Sequence, residues 1–91
     1  MAEVVITLKI MPDGTKVNLE KVKAKAKELI KEFGGEVGKE EIEPVAFGLK
    51  ALKLYFVMDE SLGSTESLEE NIKNISGVQS VEVVDVRRAI G

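Results

Sequence analysis

Apolar residues in this chain recur every second position, then every third or fourth, then every second again. Across residues 4–11, Val4, Ile6, Leu8 and Ile10 point one way, and Val5, Thr7, Lys9 and Met11 the other. That alternation predicts a strand with one face in a core. Pro12-Asp13-Gly14 reads as the turn that ends it. Asn18 is then a candidate N-cap for a helix. Leu19, Val22, Ala26, Leu29, Ile30 and Phe33 form its apolar stripe, and lysines fill the positions between. Gly34-Gly35 supplies a left-handed stop.

The second half repeats the alternation of period. Residues 36–45 are polar and carry Gly38 and Pro44, so they predict a weak strand on a sheet edge, where a missing N–H costs nothing. The loop Ala46-Phe47-Gly48 leads to a third strand, with Leu52, Leu54, Phe56 and Met58 inward. Ser64 is placed to cap a second helix running to about Ile75, with Leu68, Ile72 and Ile75 buried and Gly77 as its stop. Residues 78–86 form the last strand. Its facing stays open, since Val81 and Val83 or Val84 and Val86 could point inward. The order β-α-β-β-α-β predicts a single α+β domain over residues 1–91: a ferredoxin-like βαββαβ sandwich, with a four-stranded antiparallel sheet and both helices on one face. The two most apolar strands, first and third, would be central. The other sheet face would show Val5, Thr7, Lys9, Ala51, Lys53, Tyr55 and Val57, as a solvated surface or a docking face.

Composition removes whole classes of chemistry. The 91 residues hold no Cys and no His, so there is no thiolate or imidazole to act as nucleophile, general base or metal ligand. Glu40, Glu41 and Glu43 cluster, but on a polar edge strand they read as solvated charge rather than a metal site. No Gly-rich phosphate loop is present. An RNA-binding sheet would want aromatics on both central strands, and the first strand offers Thr7. A net charge of −3 argues further against nucleic acid. No apolar run approaches the roughly 20 residues of a membrane span, and no signal peptide is evident, so the expected location is the cytoplasm, with no membrane partner. No cofactor is expected. Oligomeric state is open, with a monomer the expectation. The signs of charge are separated: a lysine-rich first helix, an acidic segment over residues 59–70, and Arg87-Arg88 near the end. Such separation suits docking to a protein, or simply solubility.

Four stretches taken in order, "IMPDG", "EEIEPVAFGLKALKL", "GSTESLEENI" and "GVQSVEVVDVRR", resemble the archaeal elongation factor 1-beta family from end to end. The resemblance implies a guanine-nucleotide exchange factor whose partner is elongation factor 1-alpha, and no covalent catalysis. In the eukaryotic relative the loop reads "VPVGYGIKKLQI" or "VPIGFGIKKLQI", and its aromatic projects into the GTPase. Phe47 matches that aromatic and Gly48 the glycine after it, with Ala46 in place of the glycine before it and Pro44 opening the segment. From the residues alone, Phe47 could equally fold back under its loop as a satellite of the core. The eukaryotic relative also carries a lysine beside its C-terminal residue that disturbs the GTPase's Mg²⁺ site. A gapless reading brings Arg88 there, with Arg87 or simple surface charge as the alternatives and Ala89, Ile90 and Gly91 altering the end. The implied partner-binding residues are therefore Pro44, Phe47, Gly48, Arg87 and Arg88. A rival reading on topology alone is a small-molecule-sensing regulatory module.

Overall fold

The computed structural model describes residues 2–89; Ile90 and Gly91, part of the tail named above, lie outside them. The elements are β1 (Glu3–Pro12), α1 (Leu19–Phe33), β2 (Glu36–Pro44), β3 (Lys50–Asp59), α2 (Glu66–Lys73) and β4 (Val78–Ala89). The strands form one antiparallel sheet in the order β2-β3-β1-β4. The apolar first and third strands are thus central and the polar second strand is an edge.

One core lies between the sheet and both helices. Ile6, Leu8 and Ile10 of β1 pack with Leu52, Leu54, Phe56 and Met58 of β3, under Val22, Ala26 and Ile30 of α1 and Leu68 and Ile72 of α2. Each of these side chains larger than Ala26 contributes about 1.5–3 kcal/mol of transfer free energy. The Asn18 side chain accepts from the Glu20 and Lys21 N–H groups at 3.0 and 3.3 Å, which caps α1. Gly34, at φ 109°, closes it, donating to the Ile30 carbonyl at 3.1 Å while Gly35 donates to the same oxygen at 2.9 Å. Gly35 is also a packing requirement, because a Cβ there would stand 2.8 Å from Phe56 Cδ2 and 2.9 Å from Ile30 Cγ2.

Several boundaries differ from the sequence reading. Pro12 is buried in the last step of β1 rather than in the turn. α2 stops at Lys73, short of Ile75, and the chain turns into β4 through Gly77 at φ 94°. Ser64 does satisfy an opening N–H of α2, accepting from Glu66 at 3.1 Å, although Thr65 occupies the N-cap position.

The facing of β4 has no single answer, because its register against β1 shifts between Thr7 and Leu8. Val81 and Val83 pair with Ile10 and Leu8 and pack on the core. Val84 is the extra residue of the bulge. It lines the open face with Asp85 and Arg87. Beyond the bulge the phase is reversed, so that even-numbered residues face the helix side, and Val86 pairs with Ile6.

The open face is less solvated than alternation alone suggests. Thr7 and Ala51 are buried on it. Beside Val5, Val57 and Val84, the face carries a compensated polar lattice. Lys53 meets Glu43 at 2.8 Å, the Tyr55 hydroxyl donates to Glu41 at 2.6 Å, and Lys39 lies 5.3 Å from the centre of the Tyr55 ring. On the helix side, Glu40 bridges Lys23 and Lys27 at 2.9 and 3.0 Å, tying β2 to α1. The glutamate cluster is therefore divided between the two faces of β2, each carboxylate held by ammonium or phenol groups. Hydrogen bonds from those partners hold Glu40, Glu41 and Glu43 below the usual carboxylate pKa.

Candidate partner-binding site

The β2–β3 connection is built to project one side chain. Pro44 pairs with Lys50 as the last step of the ladder, exposed on the edge strand. The Val45 N–H donates to the Leu49 carbonyl at 2.8 Å, and the Leu49 N–H to the Ala46 carbonyl at 3.3 Å. Between them, Phe47 has φ 62° and ψ 29°, and Gly48 has φ 74°. Two consecutive central residues at positive φ are the requirement of a type I′ hairpin turn, whose first position favours Asn, Asp or Gly. Phe47 is the only described non-glycine residue at positive φ. A left-handed L-residue costs about 1–2 kcal/mol, and Phe has no short polar group to offset it.

Phe47 is 94% exposed. Phe47 therefore does not fold back under the loop, and the satellite-core alternative is overturned. The turn sits beside the β1–α1 connection, since a Cβ on Gly48 would lie 3.8 Å from Thr15 Cγ2. That is ordinary contact, so Gly48 is needed for its φ rather than for space.

The two arginines lie at the other end of the sheet and on opposite faces. Arg87 pairs with Val5 and Arg88 with Val4. Arg87 faces the open side, where its Nε donates to Asp85 at 2.9 Å. Arg88 faces the helix side. There it forks onto Glu60, with Nε donating to Oε2 at 3.1 Å and Nη2 to Oε1 at 2.6 Å. Glu60 follows β3 in a short turn that is pinned twice. The Glu60 N–H donates to the Ala2 carbonyl at 3.0 Å, and the Asp59 carboxylate accepts the Ser61 N–H at 2.8 Å. That bond holds Asp59 below the usual carboxylate pKa, and the Glu60 carboxylate raises that of Arg88.

The five residues taken together from sequence thus divide into two groups. The pairings Val4–Arg88 and Ile10–Leu52 put six strand steps of β1 between them, roughly 20 Å at 3.3 Å per residue, before the tip is reached. The described chain is long enough for this, at 42 × 21 × 17 Å. Glu60 was missed by sequence reasoning. It stands 28 positions from Arg88, and only the β1 register brings the two together. The pair also joins the acidic segment to the basic end, so the separation of charge read from sequence is partly cancelled there.

The family model for the EF-1 guanine nucleotide exchange domain matches residues 5–89. A protein of Staphylothermus marinus called elongation factor 1-beta is 45% identical over 89 residues, covering 97% of this chain and 98% of its own length. Its namesakes in Methanothermobacter thermautotrophicus and Methanobrevibacter smithii are 46% and 48% identical over 88 residues, with 97% of this chain and 98% of each relative covered. Among solved structures, the ACT domain from GTP pyrophosphokinase of Chlorobium tepidum superposes with a TM-score of 0.62 at 13% identity, covering 90% of this chain and 99% of that one. The C-terminal domain of the MgtC protein from Mycobacterium tuberculosis gives 0.65 at 12% identity, covering 97% and 88%. Those two similarities are of fold alone, so the ACT domain lends no support to a sensing role.

Proposed function

Because the chain belongs to the EF-1 guanine nucleotide exchange domain family, we propose that it releases GDP from elongation factor 1-alpha by gripping that GTPase at two separate places. Its role is guanine nucleotide exchange in translation elongation, and it makes and breaks no covalent bond. The observation that carries the two-place reading is Phe47, a residue 94% exposed at positive φ in its turn. Backbone strain retained at an exposed aromatic is the mark of a residue kept for a partner. Seated in a pocket of the GTPase, the ring supplies about 2 kcal/mol or more of binding. Pro44 and Gly48 hold the turn that aims it.

The second contact is the far end, where Arg88 is the cation directed at the GTPase's Mg²⁺. GDP is held through its phosphates and that ion. A positive group entering the metal site repels Mg²⁺ and weakens GDP. By linkage, a protein that prefers the nucleotide-free GTPase lowers the GTPase's affinity for GDP by the same factor. Rebinding of GTP then expels the factor. Since more than about 20 Å of β1 separates Phe47 from Arg88, the aromatic anchors on one region of the GTPase while the cation acts on another.

Release of fluorescent GDP from purified elongation factor 1-alpha, with this protein present in substoichiometric amounts, tests the proposal. Acceleration with turnover, diminishing as Mg²⁺ is raised, is expected. No acceleration at any Mg²⁺ concentration would overturn it.

A further inference from the structure

Arg88 is not free to meet a metal site. It is spoken for by Glu60 through two nitrogens on one edge of its guanidinium, Nε at 3.1 Å and Nη2 at 2.6 Å. A fork of this kind fixes the plane of the guanidinium as well as its position. The carboxylate is not a passing neighbour either. Its backbone is anchored to the Ala2 carbonyl, and its turn is capped by the Asp59 side chain. A guanidinium paired with a carboxylate presents almost no net charge to a cation several ångströms away. The pair as it stands cannot repel Mg²⁺, and the guanidinium must leave Glu60 before it can act.

We propose that Glu60 is a built-in counter-ion that masks Arg88 until docking. This rests on the reading of Arg88 given above and adds its regulation. The pair is exposed, with Arg88 and Glu60 side chains at 66% and 45%. Water and salt therefore compete with it, and the mask is weak enough to be lifted. Docking lifts it by offering the guanidinium the anionic surroundings of the GTPase's metal site, the phosphates of GDP included. The cost of leaving Glu60 is subtracted from the affinity of the productive complex, as with any state that must be vacated before binding. Arg87 lacks this arrangement. Its partner Asp85 is two residues away on the same strand and meets only Nε, at 2.9 Å.

The test is stimulated GDP release from elongation factor 1-alpha, titrated with wild-type chain, Glu60→Gln, Arg88→Ala and the double variant, at several Mg²⁺ concentrations. Gln keeps the shape of Glu60 and removes the charge. For Glu60→Gln the concentration giving half-maximal stimulation should fall about two- to fivefold, the range in which an exposed ion pair acts. More Mg²⁺ should be needed to suppress it. In the Arg88→Ala background the same substitution should change nothing, because there is no cation left to unmask. All four proteins should unfold at closely similar temperatures.

If Arg88→Ala is impaired but Glu60→Gln is unchanged or slower, the mask is rejected alone, and a slower variant would make Glu60 an orienting residue instead. If Arg88→Ala stimulates as well as wild type, the reading of Arg88 is rejected and the mask falls with it. A Glu60→Gln gain that persists without Arg88 would also reject it, by showing that the carboxylate acts on the GTPase directly.

Discussion

The two ends of the sheet solve opposite problems. At the Phe47 end the backbone is strained and the side chain is satisfied by nothing: an apolar ring stands in water on a left-handed residue. At the Arg88 end the backbone is ordinary β-ladder and the side chain is paired, forked onto a carboxylate that is itself pinned. The first end spends folding stability to keep a group available. The second keeps its group occupied. An apolar knob needs no screening, because it gains only from a matching pocket. A bare cation attracts every anion it meets, so holding it on a local partner favours selectivity over speed.

The largest effect that could break this contrast is in function at the tip. Phe47→Ala should lower stimulated GDP release at subsaturating concentrations by roughly thirtyfold, the equivalent of about 2 kcal/mol of lost anchor. Its thermal midpoint should stay close to wild type, because the ring touches no core. Unfolding of the variant would show that the ring supports the fold after all. Gly35→Ala should do the reverse. A methyl group 2.8 Å from Phe56 and 2.9 Å from Ile30 has no room, so calorimetry should find a loss of about 1–3 kcal/mol. Exchange should stay normal at temperatures where the variant is folded. An unchanged midpoint would mean that the core relaxes freely around this glycine.

A smaller effect sharpens the contrast by reversing its sign. Phe47→Asn puts the residue preferred by a type I′ turn at its first central position. Chemical denaturation should show a gain of about 0.5–1 kcal/mol, the usual size for relieving such a turn, while exchange falls as for Ala. No gain in stability would show that the turn carries no strain.

The smallest effect concerns the middle of the sheet, between the two ends. Glu40, Glu41 and Glu43 have folded-state pKa values below the ordinary 4.5. A depressed carboxylate contributes stability that is complete above its unfolded value and is lost as pH falls through the folded one. The thermal midpoint should therefore be flat from neutral pH to about 5 and decline below about 4.5. Glu40→Gln should flatten that decline, because the Lys23–Glu40–Lys27 bridge no longer titrates. A decline of equal steepness would assign the acid sensitivity to other groups.

Much of this architecture was legible in the residues. The alternation in residues 4–11 and 52–58 fixed the two central strands, and Pro44 marked the edge. The spacing from Leu19 to Phe33 gave α1 with its cap at Asn18. The failures have local causes. Val81, Val83, Val84 and Val86 looked ambiguous because a bulge changes the phase midway along β4, and no residue type there announces it. Thr7 read as exposed by parity, yet burial on a sheet also depends on the cross-strand neighbours, here Tyr55 and Asp85. α2 was drawn too long because Ile75 keeps its packing on the core after the helix has stopped. At the candidate site, Gly48 signalled a turn but not that its neighbour would share the positive φ. That conformation is what exposes the ring. The division of the five residues into two distant groups, and the Glu60 partner of Arg88, follow from strand register, which one chain's alternation does not encode.

The account's central claim is that the exposed Phe47 ring anchors the exchange reaction without holding the fold. Its most direct test is fluorescent GDP release from elongation factor 1-alpha by wild type and Phe47→Ala side by side, each first shown to be folded by its thermal transition. Turnover with wild type and a loss of roughly thirtyfold with the variant is the predicted result. Equal stimulation by two equally folded proteins would contradict it.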